Sequence, residues 1–149
     1  MVRHKQRYMV IEINSPQQRK DDSLVIPSSA LYRALSKKVQ QLHGDFGSAA
    51  IREGFVAKYF NEKTRIAIVR SRHGPHKLIT TVLPFVTEID KKQVSLVTLY
   101  TGATMRQCFK FILNHQRKKI DELCANLQSD EEKTAISEAF LKFHNKTLL

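Results

Sequence analysis

The chain has 149 residues, with 25 Lys and Arg against 14 Asp and Glu, and its formal net charge is +11 at pH 7. The length fits one domain with its own core, while 42% hydrophobic residues and two cysteines exclude a disordered chain and a disulfide scaffold. No apolar stretch is long enough for a membrane span or a signal peptide, and the charge favours a polyanionic partner such as nucleic acid.

The positive charge is concentrated in two parts of the chain. Residues 1–20 hold five cations and one acid, and residues 55–120 hold thirteen cations and three acids. Residues 121–149 reverse the sign, with three cations and six acids. We therefore expect the polyanion to contact the start and the second half of the chain, while the acidic end points elsewhere or docks on a protein partner.

The first predicted elements are a strand and a helix. Residues 8–13 are rich in β-branched and aromatic side chains and predict a strand, which a polar loop over residues 16–22 follows. Pro27 and the serines after it predict a helix that Gly44 ends, with residues 45–47 forming a turn. One apolar stripe of this helix should face the core and consists of Leu31, Leu35, Val39 and Leu42.

A hairpin, a short helix and a further strand follow. Residues 55–60 and 65–70 predict two antiparallel strands, and residues 61–64 predict the tight connection between them. Residues 76–83 predict a short helix before Pro84, and residues 94–100 predict the next strand.

Two helices complete the chain. An apolar series over residues 104–127 predicts one long helix. Ser129 and Glu132 have the spacing of a capping box, which predicts the start of a last helix.

This order of elements predicts an α+β fold. The first six elements are those of the ferredoxin-like or RRM-like split β-α-β sandwich, βαββαβ, to which two C-terminal helices are added. We expect a single RNA-binding domain over residues 1–149, with a core over about residues 1–103 and a helical extension over about residues 104–149. The two core helices would cover one face of the sheet, and the added helices, a partner or RNA would cover the other.

The sequence offers little for catalysis. It lacks a phosphate-binding loop of P-loop spacing and the G-x-S-x-G pattern of a nucleophilic serine. Glu12 lies within a strand, where an outward-facing position is the simpler interpretation, and the spacing of His73 and His76 does not continue into a set of metal ligands. A small ferredoxin-like enzyme of the acylphosphatase type would need an anion-binding loop after the first strand, and residues 14–18 contain no glycine. We predict no catalytic and no metal-binding residues.

Basic clusters supply the candidate binding site. They are an N-terminal arm, a group where the third strand meets the second helix, and two groups on the long helix. Lys58 is a separate candidate, because it lies in a strand that partly resembles the aromatic RNA-stacking motif of RRM domains. The helix start at His76 would add backbone N–H groups, whereas residues 101–106 equally fit an ordinary capped helix start. The candidate RNA-binding residues are Arg3, Lys5, Arg7, Lys58, Arg70, Arg72, His73, Arg106, Lys110, Arg117, Lys118 and Lys119.

Several short segments, taken together, have a distinctive order and spacing. They span most of residues 1–115, from the opening Met-Val-Arg-His-Lys-Gln-Arg-Tyr to Gly-Ala-Thr-Met-Arg-Gln-Cys-Phe-Lys-Phe. They are residues 1–8, 43–50, 58–60, 69–72, 83–85 and 102–111. In this order and spacing the sequence resembles the small ferredoxin-like protein subunit of eukaryotic ribonuclease P and ribonuclease MRP, the fifth of the "processing of precursors" proteins.

The resemblance implies a function without catalysis by the protein. It implies a subunit that stabilises the catalytic RNA of ribonuclease P, which matures the 5′ end of precursor tRNA, and of ribonuclease MRP, which processes ribosomal RNA. It further implies a TIM-barrel-like protein subunit of the same enzyme and other subunits as partners, with precursor tRNA as a further contact. The RNA would use Mg²⁺, the protein itself would bind no cofactor, and the location would be the nucleus and nucleolus.

Two features depart from the family, and two alternatives stay open. Ala103 replaces a glycine of the Gly-Gly-Thr-Ile-Arg pattern found in some relatives, and the chain carries only a mildly acidic end in place of a long acidic tail. The alternatives are a stand-alone small ferredoxin-like enzyme, against which the lack of glycine in residues 14–18 counts, and a protein-binding adaptor whose positive charge serves solubility.

Overall fold

A computed structural model gives the structure of the chain. It describes residues 5–17 and 24–126, together with Glu131, Thr134, Ala135, Glu138 and Ala139. The chain divides into two compact units, Met1–Phe109 and Lys110–Leu149. The division into core and extension expected from the sequence stays a prediction.

The first unit contains a four-stranded antiparallel sheet of order β2-β3-β1-β6, as the ferredoxin-like fold requires. The predicted strands and helices are confirmed at nearly their predicted positions. In chain order the elements are β1 (Gln6–Asn14), α1 (Ser28–Arg52), β2 (Val56–Asn61), β3 (Ile66–Arg72), α2 (His76–Val82), β4 (Glu88–Ile89), β5 (Lys92–Gln93), β6 (Ser95–Gly102) and α3 (Met105–Ala125).

The core lies between the sheet and the helices α1 and α2. Alternate residues of a strand point to opposite faces of a sheet, and Met9, Ile11 and Ile13 of β1 are fully buried against the helical side. The main core cluster on this side includes Leu31, Leu35, Val39, Val69, Ile79 and Val82.

The second face of the sheet is also apolar in its middle. Val10, Ile66 and Ile68 lie on this face and are buried. The first turn of α3 lies here, because the Cys108 Sγ is 3.7 Å from the Tyr8 carbonyl oxygen. The central strand β1 is therefore buried on both faces.

The end of α1 differs from the prediction. Gly44 interrupts the helix with φ +64°, as predicted, but residues 45–52 continue as helix where a turn was predicted for residues 45–47. Ile51 is buried, so packing of this second segment against the core outweighs its turn-like sequence. The prediction for Leu42 is also wrong, because its side chain is 48% exposed instead of buried.

The structure also contains a hairpin that the sequence did not reveal. β4 and β5 pair over two residues each, and the turn between them holds Asp90 and Lys91 at positive φ. The long helix is confirmed as α3, and the described residues between 131 and 139 are helical. The capping residue Ser129 and most of the polar loop over residues 16–22 lie outside the described residues.

No helix in the described part of the chain is both long enough and apolar enough to cross a membrane.

Candidate nucleic-acid interface

The strand register brings four chain segments to one end of the sheet. β1 begins there and pairs with the end of β3, since Gln6 is opposite Arg72 and Tyr8 is opposite Arg70. Tyr8 is also opposite Gly102 at the end of β6, and Arg70 is opposite Val56 at the start of β2. The segments that precede β1 and β2 and those that follow β3 and β6 therefore share this end.

Most of the predicted basic residues of the first unit lie at this end. Lys5 directly precedes β1 and Arg7 lies at its start, and the backbone N–H of His73 donates to the Lys5 carbonyl oxygen at 2.8 Å. Arg106 follows β6 in the first turn of α3 and is exposed. We call this surface the basic end and define it by Lys5, Arg7, Arg70, Arg72, His73, His76, Lys77 and Arg106.

Two arginines of β3 lie on the second face of the sheet at the basic end. The Arg72 guanidinium is paired with the carboxylate of Glu53, with an Nη2–Oε2 distance of 2.5 Å, and the Arg72 side chain is 32% exposed. The Nε of Arg70 is buried and has no hydrogen-bond partner among the residues that the structure describes. Because buried donors are nearly always paired, this guanidinium is a candidate to donate to an acceptor from outside the chain.

Two histidines form a stacked pair where β3 meets α2. The rings of His73 and His76 lie 5.4 Å apart at an angle of 20°, and the Gly74 backbone N–H donates to His76 Nδ1 at 3.1 Å. Burial and the positive charges of His73, Arg7 and Lys77 lower the pKa of His76 below its usual value of 6.5. His76 is therefore mostly neutral near pH 7, and its imidazole can still take up a proton when an anion binds beside it.

The other predicted residues belong to the edge of the sheet, to the second unit, or to the part of the chain that the structure does not describe. Lys58 is exposed in the middle of β2, at the edge of the sheet. Four others belong to the second unit, where they are exposed on α3, namely Lys110, Arg117, Lys118 and Lys119. Arg3 lies outside the described residues.

The start of α3 is a capped helix terminus. The Gln107 backbone N–H donates to Thr104 Oγ1 at 3.3 Å, and the Ala103 N–H donates to Gln107 Oε1 at 3.0 Å. This arrangement is close to a capping box. These hydrogen bonds occupy two of the backbone N–H groups that a phosphate would need at this helix terminus. Residues 101–106 therefore form an ordinary capped helix start.

The aromatic residues near Lys58 do not form a base-stacking platform. Phe55 is buried in the core, where its ring stacks on Tyr32 at 4.9 Å. Tyr59 packs edge-on against Phe109 at 6.4 Å, and its hydroxyl accepts a hydrogen bond from the Asn61 amide. The partial likeness to an RRM motif is therefore explained by packing.

The described residues contain no group of three or more His, Cys, Asp or Glu side chains placed to hold a metal ion. The Ser15 hydroxyl, directly after β1, donates to the Gln93 carbonyl oxygen at 2.9 Å, so it serves the packing of the β5 segment. Burial raises the pKa of the Cys108 thiol, which makes it a poor nucleophile near pH 7.

Three residues at the basic end were missed by the sequence analysis. They are Gln6, Glu53 and Gly54, and each contacts or lies beside Arg72. None is cationic, so a search for basic clusters could not find them.

Comparisons with known proteins show which family the sequence is similar to. Residues 7–113 match the model of the Rpp14/Pop5 family. The ribonuclease P/MRP protein subunit POP5 of Bos taurus is 32% identical over 146 residues, which cover 95% of this chain and 85% of the bovine protein. The human subunit of the same name is also 32% identical, over 93% of this chain and 86% of that protein.

The fold has a counterpart among solved structures. A chain in the cryo-EM structure of yeast ribonuclease MRP superposes with a TM-score of 0.52 and 15% identity, over 81% of this chain and 98% of that one. At this identity the superposition shows the fold alone, and it confirms the predicted ferredoxin-like α+β sandwich.

Proposed function

The chain belongs to the Rpp14/Pop5 family, and from this we propose that it is a non-catalytic RNA-binding subunit of the ribonuclease P and ribonuclease MRP ribonucleoproteins. In this function it binds and stabilises the catalytic RNA. The RNA of ribonuclease P matures the 5′ ends of precursor tRNA, and the MRP particle processes ribosomal RNA.

The observation that carries this proposal is the convergence of cations at the basic end. Strand pairing brings Lys5, Arg7, Arg70 and Arg72 together although they come from two distant parts of the sequence. Cations clustered in this way neutralise phosphates and release counterions from the nucleic acid. Arginine suits this contact because its planar guanidinium can donate two parallel hydrogen bonds to one phosphate.

The same proposal assigns catalysis to the RNA. Mg²⁺ would be held by RNA phosphates, and the protein would bind no cofactor of its own. Chelation of Mg²⁺ should then stop cleavage by the particle while the thermal unfolding of the free protein stays unchanged.

Protein partners and location complete the proposal. We expect a TIM-barrel-like subunit of the same enzyme and other subunits of the two particles as partners, precursor tRNA as a further contact, and residence in the nucleus and nucleolus. Apolar side chains exposed on the helical layer offer surface for such subunits, and they are Leu42, Phe46 and Phe85.

Purification of the tagged full-length protein from its host tests the proposal. The bound RNA would be sequenced, the bound proteins identified by mass spectrometry, and the tagged protein localised by cell fractionation. Ribonuclease P or MRP RNA, with other subunits and from the nuclear fraction, is the expected result. Recovery of the protein without RNA would contradict the proposal and would favour the protein-binding adaptor.

RNA affinity should increase as the pH falls. His76 is mostly neutral in the free protein because its pKa is lowered, whereas RNA phosphates beside it would raise that pKa. Binding would then take up a proton between the two values, so affinity should rise about threefold to tenfold when the pH falls from 7.5 to 5.5.

A titration of the variants checks this pH dependence. His76→Gln should show a smaller increase in affinity over the same range, measured by fluorescence anisotropy. His43→Gln is the control, because His43 lies on the helical layer, where its Nε2 shares a hydrogen bond with Thr81 Oγ1. Identical pH profiles for His76→Gln and the wild type would show that His76 does not face the RNA.

A further inference from the structure

The basic end contains a hydrogen-bond acceptor that its cations do not explain. Gln6 Oε1 is buried and has no hydrogen-bond partner within residues 5–17 and 24–126, and the same holds for Arg70 Nε. Gln6 is opposite Arg72 in the β1–β3 ladder, and Arg70 comes two residues before Arg72 on the same strand. Because alternate residues share a face, all three side chains lie on the second face of the sheet.

Gly54 shapes the space beside these side chains. Its φ is +83°, and a Cβ at this position would lie 3.1 Å from Arg72 Cγ and 3.7 Å from Gln6 Oε1. The missing side chain lets Gln6 and Arg72 lie close over the backbone of residue 54. The carboxylate of Glu53 pairs with the Arg72 guanidinium and so favours one orientation of this arginine before a ligand binds.

This part of the second face therefore presents the neutral amide of Gln6 together with the guanidinium groups of Arg70 and Arg72. The guanidinium groups suit a phosphate, but a phosphate has no donor for the amide oxygen. A ligand that satisfies all of them carries a hydroxyl next to a phosphate, as a ribonucleotide does with its 2′-OH. A 2′-OH both donates and accepts, so it fits the Gln6 amide in either of its two orientations.

We propose that Gln6 binds a ribose 2′-OH of a nucleotide whose neighbouring phosphate is held by Arg70 and Arg72. This site makes the basic end selective for RNA over DNA, a property that charge alone does not provide. The inference rests on the proposed RNA-binding function and adds to it the group by which RNA is recognised.

Paired oligonucleotides test the site directly. The full-length protein is titrated with a single-stranded RNA 20-mer and with the DNA 20-mer of the same sequence. The wild type should bind the RNA about tenfold more tightly, which corresponds to one neutral hydrogen bond. Gln6→Met should lose this preference by weakening RNA binding about tenfold while DNA binding stays the same.

Controls separate recognition from charge and from folding. Gln40→Met changes an exposed glutamine on α1 and should leave both affinities unaltered. Gln6→Met should keep the wild-type salt dependence of binding, and it should unfold at the same or a higher temperature, because it removes a buried polar atom that lacks a partner. RNA methylated at every 2′-oxygen tests the wild-type protein without any substitution and should bind about as weakly as DNA.

Two results would overturn the inference and leave the proposed function intact. They are an RNA preference that persists in Gln6→Met, and methylated RNA that binds the wild type as tightly as the unmodified strand. A wild-type protein that binds no RNA at all would overturn the proposed function itself.

Discussion

Reversal of both β3 arginines, Arg70→Glu with Arg72→Glu, should lower RNA affinity at least about 100-fold at low salt. Each charge-assisted contact is worth about 1.5–3 kcal/mol, and about 1.4 kcal/mol changes affinity tenfold. The two new carboxylates would also repel the phosphates and stand close to Glu53. Binding would be measured by titration with the RNA recovered from the purified particle.

The salt dependence of RNA binding is a second measurement on the same double variant. Loss of two phosphate contacts should reduce the slope of log affinity against log salt by about 1.5–2. Arg33→Glu with Lys37→Glu is the matched control, because both residues are exposed on α1, away from the basic end. A slope equal to that of the wild type would exclude Arg70 and Arg72 from the phosphate contacts.

Gly47→Ala should lower the free energy of unfolding by about 3 kcal/mol, although alanine is the better helix former by about 1 kcal/mol. The interruption at Gly44 brings the next turn of α1 so close that a Cβ on residue 47 would overlap the Cβ of His43. It would also lie 3.1 Å from Val39 Cγ1 in the core. Displacement of His43 would further disturb its hydrogen bond to Thr81, which joins α1 to α2.

Thermal unfolding measures this effect. A loss of about 3 kcal/mol lowers the midpoint by roughly 10 °C in a chain of this size. Ser48→Ala, at the next position of the same helical segment, adds helix propensity without the overlap and should change stability by less than about 0.5 kcal/mol. A higher midpoint for Gly47→Ala would mean that α1 runs through Gly44 without interruption.

In α1 the pattern of apolar residues predicts the buried face of the helix but not its full length. The stripe of Leu31, Leu35 and Val39 correctly identified the buried face of the helix. The glycine at position 44 correctly marked the interruption, but not the helical segment beyond it, since that segment depends on the burial of Ile51 in the folded core. The hairpin of β4 and β5 is not predicted, because strands of two residues are too short to show alternation of apolar and polar side chains.

The candidate site was predicted in parts rather than as a whole. The N-terminal arm and the cluster around Arg70 each stood out as runs of basic residues. Their meeting at one end of the sheet depends on the register that sets Gln6 opposite Arg72, and a single sequence does not reveal register between strands so far apart. Gln6 itself carries no charge, so only its position in the ladder connects it with the arginines.

The pairing of β1 also determines when the protein can fold. Tyr8 has Arg70 on one side and Gly102 on the other, so the central strand finds its two neighbours only after most of the chain has been synthesised. Contacts between such distant residues slow folding and leave an apolar strand unpaired on the ribosome. The basic end forms in the same late step, so a nascent chain shorter than about 100 residues has the cations of an RNA-binding protein without their arrangement.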